Sequence, residues 1–341
     1  MRSIAAFLAL ALLQTPAALP PTRDQLFATF GSYLDSLRIQ TGIPGLAAAI
    51  VEGDNVVWDQ AFGQQDIGRS LGARSDTPFH FDGLTETLTA TLVLRCVEDG
   101  RMRLDATVGS FNPGNPDASL TVGQVLSHTS GDPANPTFAY RPDRLNALTP
   151  AIAACKGMSF RGAVATLLDQ LAMFDSVPGA DAIADPVLAV DRYTSVLLRL
   201  AVPYAVDAQG RPSASHYPST TLTPSTGLIS TVLNFAQFDR ALRQGVLIRS
   251  DTLSAAWRPR SASAPHGYGW FVQSVNGELV VWQFGNGPNA SSSLLITIPG
   301  RGITLILAAN SDGLARPASR LAEGDVTASP FARMFFQVLV K

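Results

Sequence analysis

Apolar residues recur at helical spacing along one long stretch in the first third of the chain. They fall on one face, every three or four positions: Leu84, Leu88, Leu92, Val93, Cys96 and Val97. This is the period of a helix with one side buried, and Gly100 is a natural stop. The pattern predicts a buried helix that begins near residue 84 and ends before Gly100.

The remaining pattern predicts helices at both ends of the chain, strands next to them and a helical middle. Helical spacing covers residues 22–41, 145–152, 159–171, 234–242 and 330–340, and strand-like runs cover 46–52, 55–63, 267–273, 278–284, 291–298 and 303–309. The pairs Gly53-Asp54 and Asn276-Gly277 separate neighbouring strand-like runs, which is typical of β-hairpins. We therefore expect an antiparallel sheet formed by both ends of the sequence.

Composition and charge describe an ordinary globular protein. The 341 residues are 46% hydrophobic and 15% charged, which allows a full core in one or two domains. A net charge of −2 gives no reason to expect nucleic acid or an anionic membrane as a partner.

The first residues combine one basic residue, a short apolar run and small residues up to Ala18. This is the design of a secretory signal peptide over residues 1–18, too short for a membrane span, so we expect a periplasmic or secreted mature protein without a span. Cys96 and Cys155 could pair there, but both fall on predicted helix faces, which favours two buried, unpaired thiols.

Several sequence motifs follow one another in an order that is characteristic of a known family. The stretch Phe79-His-Phe-Asp-Gly-Leu-Thr-Glu-Thr-Leu-Thr-Ala90 opens the buried helix, Glu98-Asp-Gly-Arg-Met-Arg-Leu-Asp105 follows it, and Val125-Leu-Ser-His-Thr-Ser-Gly131 and Phe138-Ala-Tyr140 come next. Together they resemble the serine β-lactamase and penicillin-binding-protein superfamily, especially its class C-like and esterase-like branch.

The resemblance implies an α/β (α+β) fold of the β-lactamase/transpeptidase type. An antiparallel sheet is flanked by N- and C-terminal helices, and a mainly helical domain is inserted. Residues 19–341 would form this domain, with the α/β part at about 19–80 plus 245–341 and the helical part at about 81–244.

The same resemblance assigns the site. Gly83 falls on the family's nucleophilic serine, Glu86 on its lysine, Tyr140 on its tyrosine, and Gln283 on the lysine or histidine of the strand beside the site. Of these four letters only the tyrosine is kept. No other Ser-x-x-Lys exists, because the two lysines are Lys156 and Lys341.

Residues that adjoin these positions are expected to contact a ligand. They are Asp82, Pro142, Phe284 and Gly285. Within the family's pattern Pro142 stands where an asparagine is usual.

These substitutions remove the family's chemistry. A glycine offers no hydroxyl to acylate, and loss of a nucleophile lowers turnover on the order of a million-fold in comparable hydrolases. The sequence therefore favours an inactive binder of a cell-wall-type peptide, a small molecule or a protein partner. An altered hydrolase that uses water activated by Glu86 and Tyr140, with Asp82 as a further participant, is the alternative. Glu86 also has a purely structural explanation, because a negative charge in the first turn of a helix interacts favourably with the helix dipole.

The remaining polar motifs indicate structure more than chemistry. His128 and Ser130 belong to the family's helix end and turn, so a buried polar cluster is expected there. Four dispersed histidines and two distant cysteines give no metal-ligand spacing, and there is no phosphate-binding loop. We expect no metal and no cofactor.

Overall fold

The computed structural model describes residues 20–185, 191–316 and 319–340. The predicted signal peptide at residues 1–18 lies outside these described residues.

The helices lie near both chain ends and through the middle of the sequence. The α-helices are α1 (Arg23–Gln40), α2 (Thr85–Glu98), α3 (Val122–Leu126), α4 (Thr149–Lys156), α5 (Phe160–Gln170), α6 (Asp191–Leu197), α7 (Val232–Arg243), α8 (Ser250–Ala256) and α9 (Pro330–Leu339). Short 3₁₀ helices cover Asp82–Leu84, Val108–Ser110, Pro142–Leu148, Ala180–Ala184, Pro299–Arg301, Asp312–Leu314, Ser319–Glu323 and Val326–Ala328.

Within the described residues, the strands form one large sheet and three small ones. They are β1 (Gly45–Glu52), β2 (Asn55–Asp66), β3 (Leu71–Gly72), β4 (Phe79–His80), β5 (Thr129–Ser130), β6 (Thr137–Phe138), β7 (Val177–Pro178), β8 (Tyr204–Val206), β9 (Pro212–Ala214), β10 (Leu228–Ser230), β11 (Phe271–Val275), β12 (Glu278–Gly287), β13 (Ser291–Ile298) and β14 (Ile303–Ala309). The small sheets join β4, β10 and β7, then β5 and β6, then β8 and β9.

The large sheet is antiparallel and runs in the order β11-β12-β13-β14-β1-β2-β3. Its centre joins the two ends of the sequence, since Leu46 of β1 lies opposite Ala309 of β14. The expected mixed α/β architecture with an antiparallel sheet is confirmed.

Both faces of the sheet are covered, which explains why β1 is apolar at nearly every position. Leu46, Ala48 and Ile50 point to a core shared with α1 and α9. The alternate residues, Ala47 and Ala49, point to a second core shared with α2 and α7. A strand buried on both sides gains nothing from polar alternation, so its sequence is almost continuously hydrophobic.

The cysteine prediction is wrong. Cys96 of α2 and Cys155 of α4 form a disulfide, with their Cα atoms 6.2 Å apart. The two helices pack side by side, so the buried face of each brings its cysteine to the other. The two cysteines are 59 residues apart in sequence, so their spacing alone does not indicate that they pair.

One strand starts later than its sequence pattern suggests. The run at 267–273 is a strand only from Phe271, because the backbone turns at Gly269 with a φ of 95°. A Cβ added at Gly269 would lie 2.2 Å from the Cβ of Ala90, so this turn lies directly against α2. The glycine allows a close approach that a regular strand would not make.

Among the described residues, no single helix has both the length and the apolar character needed to span a bilayer, although the bent pair Pro142–Lys156 and Phe160–Gln170 meets both criteria jointly.

Candidate functional site

The start of α2 is held in place by its neighbours in the small sheet. Strand β4 pairs with β10 and leads through the 3₁₀ turn Asp82–Leu84 into the helix. The hydroxyl of Thr85 donates to the Asp82 carbonyl at 2.7 Å and accepts from the Leu228 N–H at 3.2 Å. Asp82 adopts a φ of 46°, a left-handed conformation that aspartate tolerates better than most residues with a Cβ.

A cleft of about 530 Å³ opens above this helix start. It lies between α2, the end of β12 and the 3₁₀ helix Pro142–Leu148, and its volume is that of a small-molecule site. Six of the eight residues singled out from the sequence line it: Asp82, Gly83, Glu86, Tyr140, Pro142 and Phe284.

The other two sequence-derived residues lie behind the wall of the cleft. Gln283 is completely buried, and its side-chain oxygen accepts from the Phe284 N–H at 2.9 Å. Gly285 lies so close to the entry of α2 that an added Cβ would be 2.5 Å from the Phe81 carbonyl oxygen. Both residues shape the cleft without lining it.

Gly83 has no space for a side chain. A Cβ added there would lie 2.5 Å from the backbone carbonyl oxygen of Phe284 in β12. Real Cβ atoms do not approach a backbone oxygen this closely, so a larger residue would have to push β12 and α2 apart. At this position the cleft wall is closed by backbone.

Glu86 is the centre of a buried hydrogen-bonded cluster. Its side chain is 0% exposed, and its Oε1 accepts from the Tyr140 hydroxyl at 2.7 Å. Its Oε2 lies 3.0 Å from Nε2 of His128 and 3.3 Å from the amide nitrogen of Gln283. Because Nδ1 of His128 accepts from the Arg141 N–H at 3.2 Å, the neutral ring carries its proton on Nε2 and donates to Glu86.

Burial sets the protonation of this cluster. Desolvation raises the pKa of Glu86 to about 8, against the opposing effect of the Tyr140 hydrogen bond. Burial also raises the pKa of Tyr140 well above its usual value and lowers the pKa of His128 to about 3. At neutral pH the cluster is therefore mostly uncharged, which makes Glu86 a poor base for activating water.

Glu86, His128 and His266 are the one group of metal-ligand types that converges here within the described residues. Their ligand atoms all lie within 4.8 Å of one another. A metal needs a lone pair on each ligand nitrogen, but Nε2 of His128 carries a proton because its Nδ1 accepts the Arg141 N–H. The set then offers two ligand atoms, fewer than protein zinc sites use. The arrangement fits a hydrogen-bonded cluster better than a metal centre.

His266 was missed by the sequence analysis. Its ring is 0% exposed and packs edge-on against His128 with ring centroids 4.6 Å apart. Its Nδ1 lies 2.9 Å from the Gly267 carbonyl oxygen, so Nδ1 donates and Nε2 is left as an acceptor. No spacing rule links two histidines so far apart in sequence, and only the approach of the segment before β11 to α3 brings them together.

A second polar pair lies at one corner of the cleft; Asp82 was expected there from the sequence, but its partner His80 was missed. Nδ1 of His80 lies 2.8 Å from Oδ1 of Asp82, and the two residues are 2% and 4% exposed. The His80 ring stacks on Tyr217, with centroids 5.1 Å apart. Within the described parts of the chain, neither Nε2 of His80 nor Oδ2 of Asp82 has a hydrogen-bond partner. The signal in the sequence was His-x-Asp directly before the helix.

Comparison with known proteins identifies the family to which this fold belongs. The family model described as "Beta-lactamase" matches residues 23–328. "Penicillin-binding protein 4" of Amycolatopsis lactamdurans is 36% identical over 104 residues, which are 28% of this chain and 27% of that protein. The match therefore spans about a quarter of this relative's length.

Solved structures agree on the fold. The octameric penicillin-binding protein homologue from Pyrococcus abyssi superposes with a TM-score of 0.72 at 19% identity, over 92% of this chain and 77% of that one. The D-alanine carboxypeptidase AmpC from Burkholderia cenocepacia gives a TM-score of 0.69 at 17% identity, over 92% and 99% of the two chains. At this level of identity, the similarity concerns the fold alone.

Proposed function

Because this chain belongs to the β-lactamase family, we propose that it is a secreted binding protein that uses the family's cleft without forming an acyl-enzyme. The proposed ligand is a cell-wall-type peptide or a related small molecule. The proposal depends above all on Gly83, the residue that falls on the family's serine.

Besides lacking a hydroxyl, position 83 has no room for a larger side chain. The Phe284 carbonyl oxygen faces the position that a Cβ would occupy, only 2.5 Å away. A serine at this position would displace backbone before it could reach a substrate. The nucleophile is therefore absent, and so is the space that it needs.

The state of Glu86 argues against the altered hydrolase. Attack by water needs a basic group within reach of the cleft, yet the Glu86 carboxyl already faces Tyr140, His128 and Gln283. Its pKa of about 8 keeps it protonated at neutral pH. A group that is both saturated and neutral is a weak general base.

The cleft itself supports a small ligand more than a protein partner. Its volume of about 530 Å³ suits a peptide end or a small molecule. Two of the similar proteins are a penicillin-binding protein and a D-alanine carboxypeptidase by name. D-alanyl peptides and their analogues are therefore the first ligands to test.

Secretion is supported by the disulfide between Cys96 and Cys155 as well as by the N-terminal sequence. Disulfides persist mainly in oxidising compartments such as the periplasm and the exterior. N-terminal sequencing of the protein exported from a bacterial host tests this, and a mature chain beginning close to residue 19 is expected. A full-length chain retained in the cytoplasm would contradict secretion.

The function is tested by separating binding from acylation. Intact-mass spectrometry after incubation with a fluorescent penicillin should show no adduct, while calorimetry should detect reversible binding of D-alanyl-D-alanine. Ser219→Trp, which fills the cleft, should abolish that binding, and Ser213→Trp on the exposed surface of β9 is the matched control. Stoichiometric covalent labelling would overturn the non-acylating function.

A further inference from the structure

We propose that the corner of the cleft at Asp82 and His80 binds a cationic amino group of the ligand, such as a primary ammonium. This inference rests on the proposed function, because it names the chemistry of a ligand that the cleft is proposed to bind. It assigns a role to two of the buried polar atoms that have no hydrogen-bond partner within the described residues, Oδ2 of Asp82 and Nε2 of His80.

One polar atom on each of these two side chains has no hydrogen-bond partner within the described residues. Nδ1 of His80 lies 2.8 Å from Oδ1 of Asp82; when the His80 ring is neutral and carries its proton on Nδ1, Oδ2 of Asp82 and Nε2 of His80 are left as acceptors. Both atoms are buried and have no partner among the described residues, although both residues line the cleft. A buried acceptor without a donor is unfavourable and needs an explanation. A group that carries several N–H donors would satisfy both.

The backbone is adapted to hold Asp82 in this corner. Its φ of 46° is rare for a residue with a Cβ, and local strain of this kind is concentrated at binding and catalytic sites. Gly287 of β12 lies so close that an added Cβ would be 2.7 Å from Oδ1 of Asp82. On the other side, His80 is held by its stacking on Tyr217. The carboxylate is thus fixed from both sides and does not rotate freely to find its own partner.

The charge of the cleft favours a cation over an anion. Its lining includes three acidic residues and, within the described residues, no arginine or lysine. Asp143 already has a cationic partner, since its carboxylate lies 3.1 Å from the Arg141 guanidinium. Glu86 is enclosed by its own donors. Asp82 is the lining acid whose described contacts include no arginine or lysine, only the His80 ring, so with that ring neutral a ligand ammonium would gain an ion pair and a ligand carboxylate would be repelled.

A matched series of probes tests the charge preference directly. D-alanyl-D-alanine amide carries an ammonium, N-acetyl-D-alanyl-D-alanine amide is neutral, and N-acetyl-D-alanyl-D-alanine carries a carboxylate. Calorimetry at pH 7 should rank them in that order, with the cationic probe at least about ten-fold tighter than the neutral one. Asp82→Asn, which suits the same left-handed backbone, should reduce this preference to about two-fold or less.

Controls keep the outcomes distinct. Asp105→Asn makes the same change in net charge at an exposed residue outside the cleft and should leave the ranking intact. Equal binding of all three probes to the unsubstituted protein would overturn the cation site but not the binding function. No binding of any probe would overturn both. The ranking of the three affinities in the unsubstituted protein tests the proposal by itself. The test therefore stands even if Asp82→Asn does not fold.

Discussion

Replacing Glu86 by glutamine isolates the largest electrostatic feature of the candidate site. Glutamine keeps the size of the side chain and removes its ability to ionise. The carboxyl is fully buried, and burial raises its pKa from 4.5 to about 8. In the folded protein at neutral pH the side chain is mostly protonated, with its Oε2 facing two N–H donors and its Oε1 facing the Tyr140 hydroxyl. The amide of glutamine reproduces this state.

The sign of the pH dependence follows from which state holds the proton. Between pH 4.5 and 8 the unfolded chain releases the Glu86 proton while the folded protein keeps it. The stability contributed by the protonated carboxyl is complete below pH 4.5 and is lost as the pH rises to 8. Each pH unit in this window lowers the free energy of unfolding by about 1.4 kcal/mol, which gives a total of roughly 4 to 5 kcal/mol.

The buried histidines change the free energy of unfolding with pH in the opposite direction, so their contribution has to be separated from that of Glu86. Burial lowers the pKa of His128 to about 3 and that of His266 well below 6.5. Below pH 6.5 the unfolded chain therefore takes up protons that the folded protein excludes, so stability falls as the pH drops. Both histidines are present in Glu86→Gln, and the difference between the two proteins removes most of their contribution.

Urea unfolding at pH 5, 7 and 8.5, followed by the fluorescence of the buried Trp270 and Trp282, measures this difference. The stability of Glu86→Gln relative to the unsubstituted protein should rise by about 4 kcal/mol between pH 5 and 8.5. Glu323→Gln makes the same change at an exposed side chain, where solvent screens the charge, and its difference should stay small. A constant difference for Glu86→Gln would refute the reasoning, because it would mean that three donors keep the buried carboxyl ionised throughout.

Three further changes test the disulfide, the closed wall and the buried hydroxyl. Cys96→Ala with Cys155→Ala should lower the free energy of unfolding by ~4 kcal/mol, since the closed loop is long; equal stability in urea would contradict this. Gly83→Ser should lose about 1 to 3 kcal/mol and remain unlabelled by a fluorescent penicillin, while Gly114→Ser, with open space around it, should be near neutral; labelling of the first variant would show that the wall opens. Tyr140→Phe should cost about 1 to 3 kcal/mol at pH 5 as well as at pH 8.5, because the hydroxyl pairs with Oε1 of Glu86 whether the carboxyl is protonated or ionised; urea unfolding at both values measures this, and unchanged stability would contradict it.

The sequence predicted those parts of the fold that depend on local pattern. Leu84, Leu88 and Leu92 are buried as expected, with Leu88 and Leu92 in α2 and Leu84 directly before it, and the turn at Asn276-Gly277 joins β11 to β12. These features need no information from elsewhere in the chain, because helix period and hairpin turn chemistry are local.

Features that depend on the meeting of distant segments were missed or wrong. The disulfide requires α2 and α4 to pack with their cysteines face to face, which no spacing rule specifies. The three donors to Glu86 come from 42, 54 and 197 positions away in sequence. His80 and His266 were overlooked because their roles depend on contacts that the fold creates. His80 contacts Asp82, and His266 packs against His128.

Two of the residues that the sequence predicts to depart from the family pattern, Glu86 and Gln283, meet in the cluster around Glu86. His128 and Gln283 both direct N–H groups at Oε2 of Glu86. A lysine at position 86 would remove this acceptor and leave the amide N–H of Gln283 without the partner that it has here. A cation at position 283 would in turn convert Glu86 into a buried ion pair, with a desolvation penalty that good geometry must offset. We infer that an acid at 86 and a neutral donor at 283 form one compatible arrangement, so restoring a single residue toward the family pattern would leave buried donors or charges without partners.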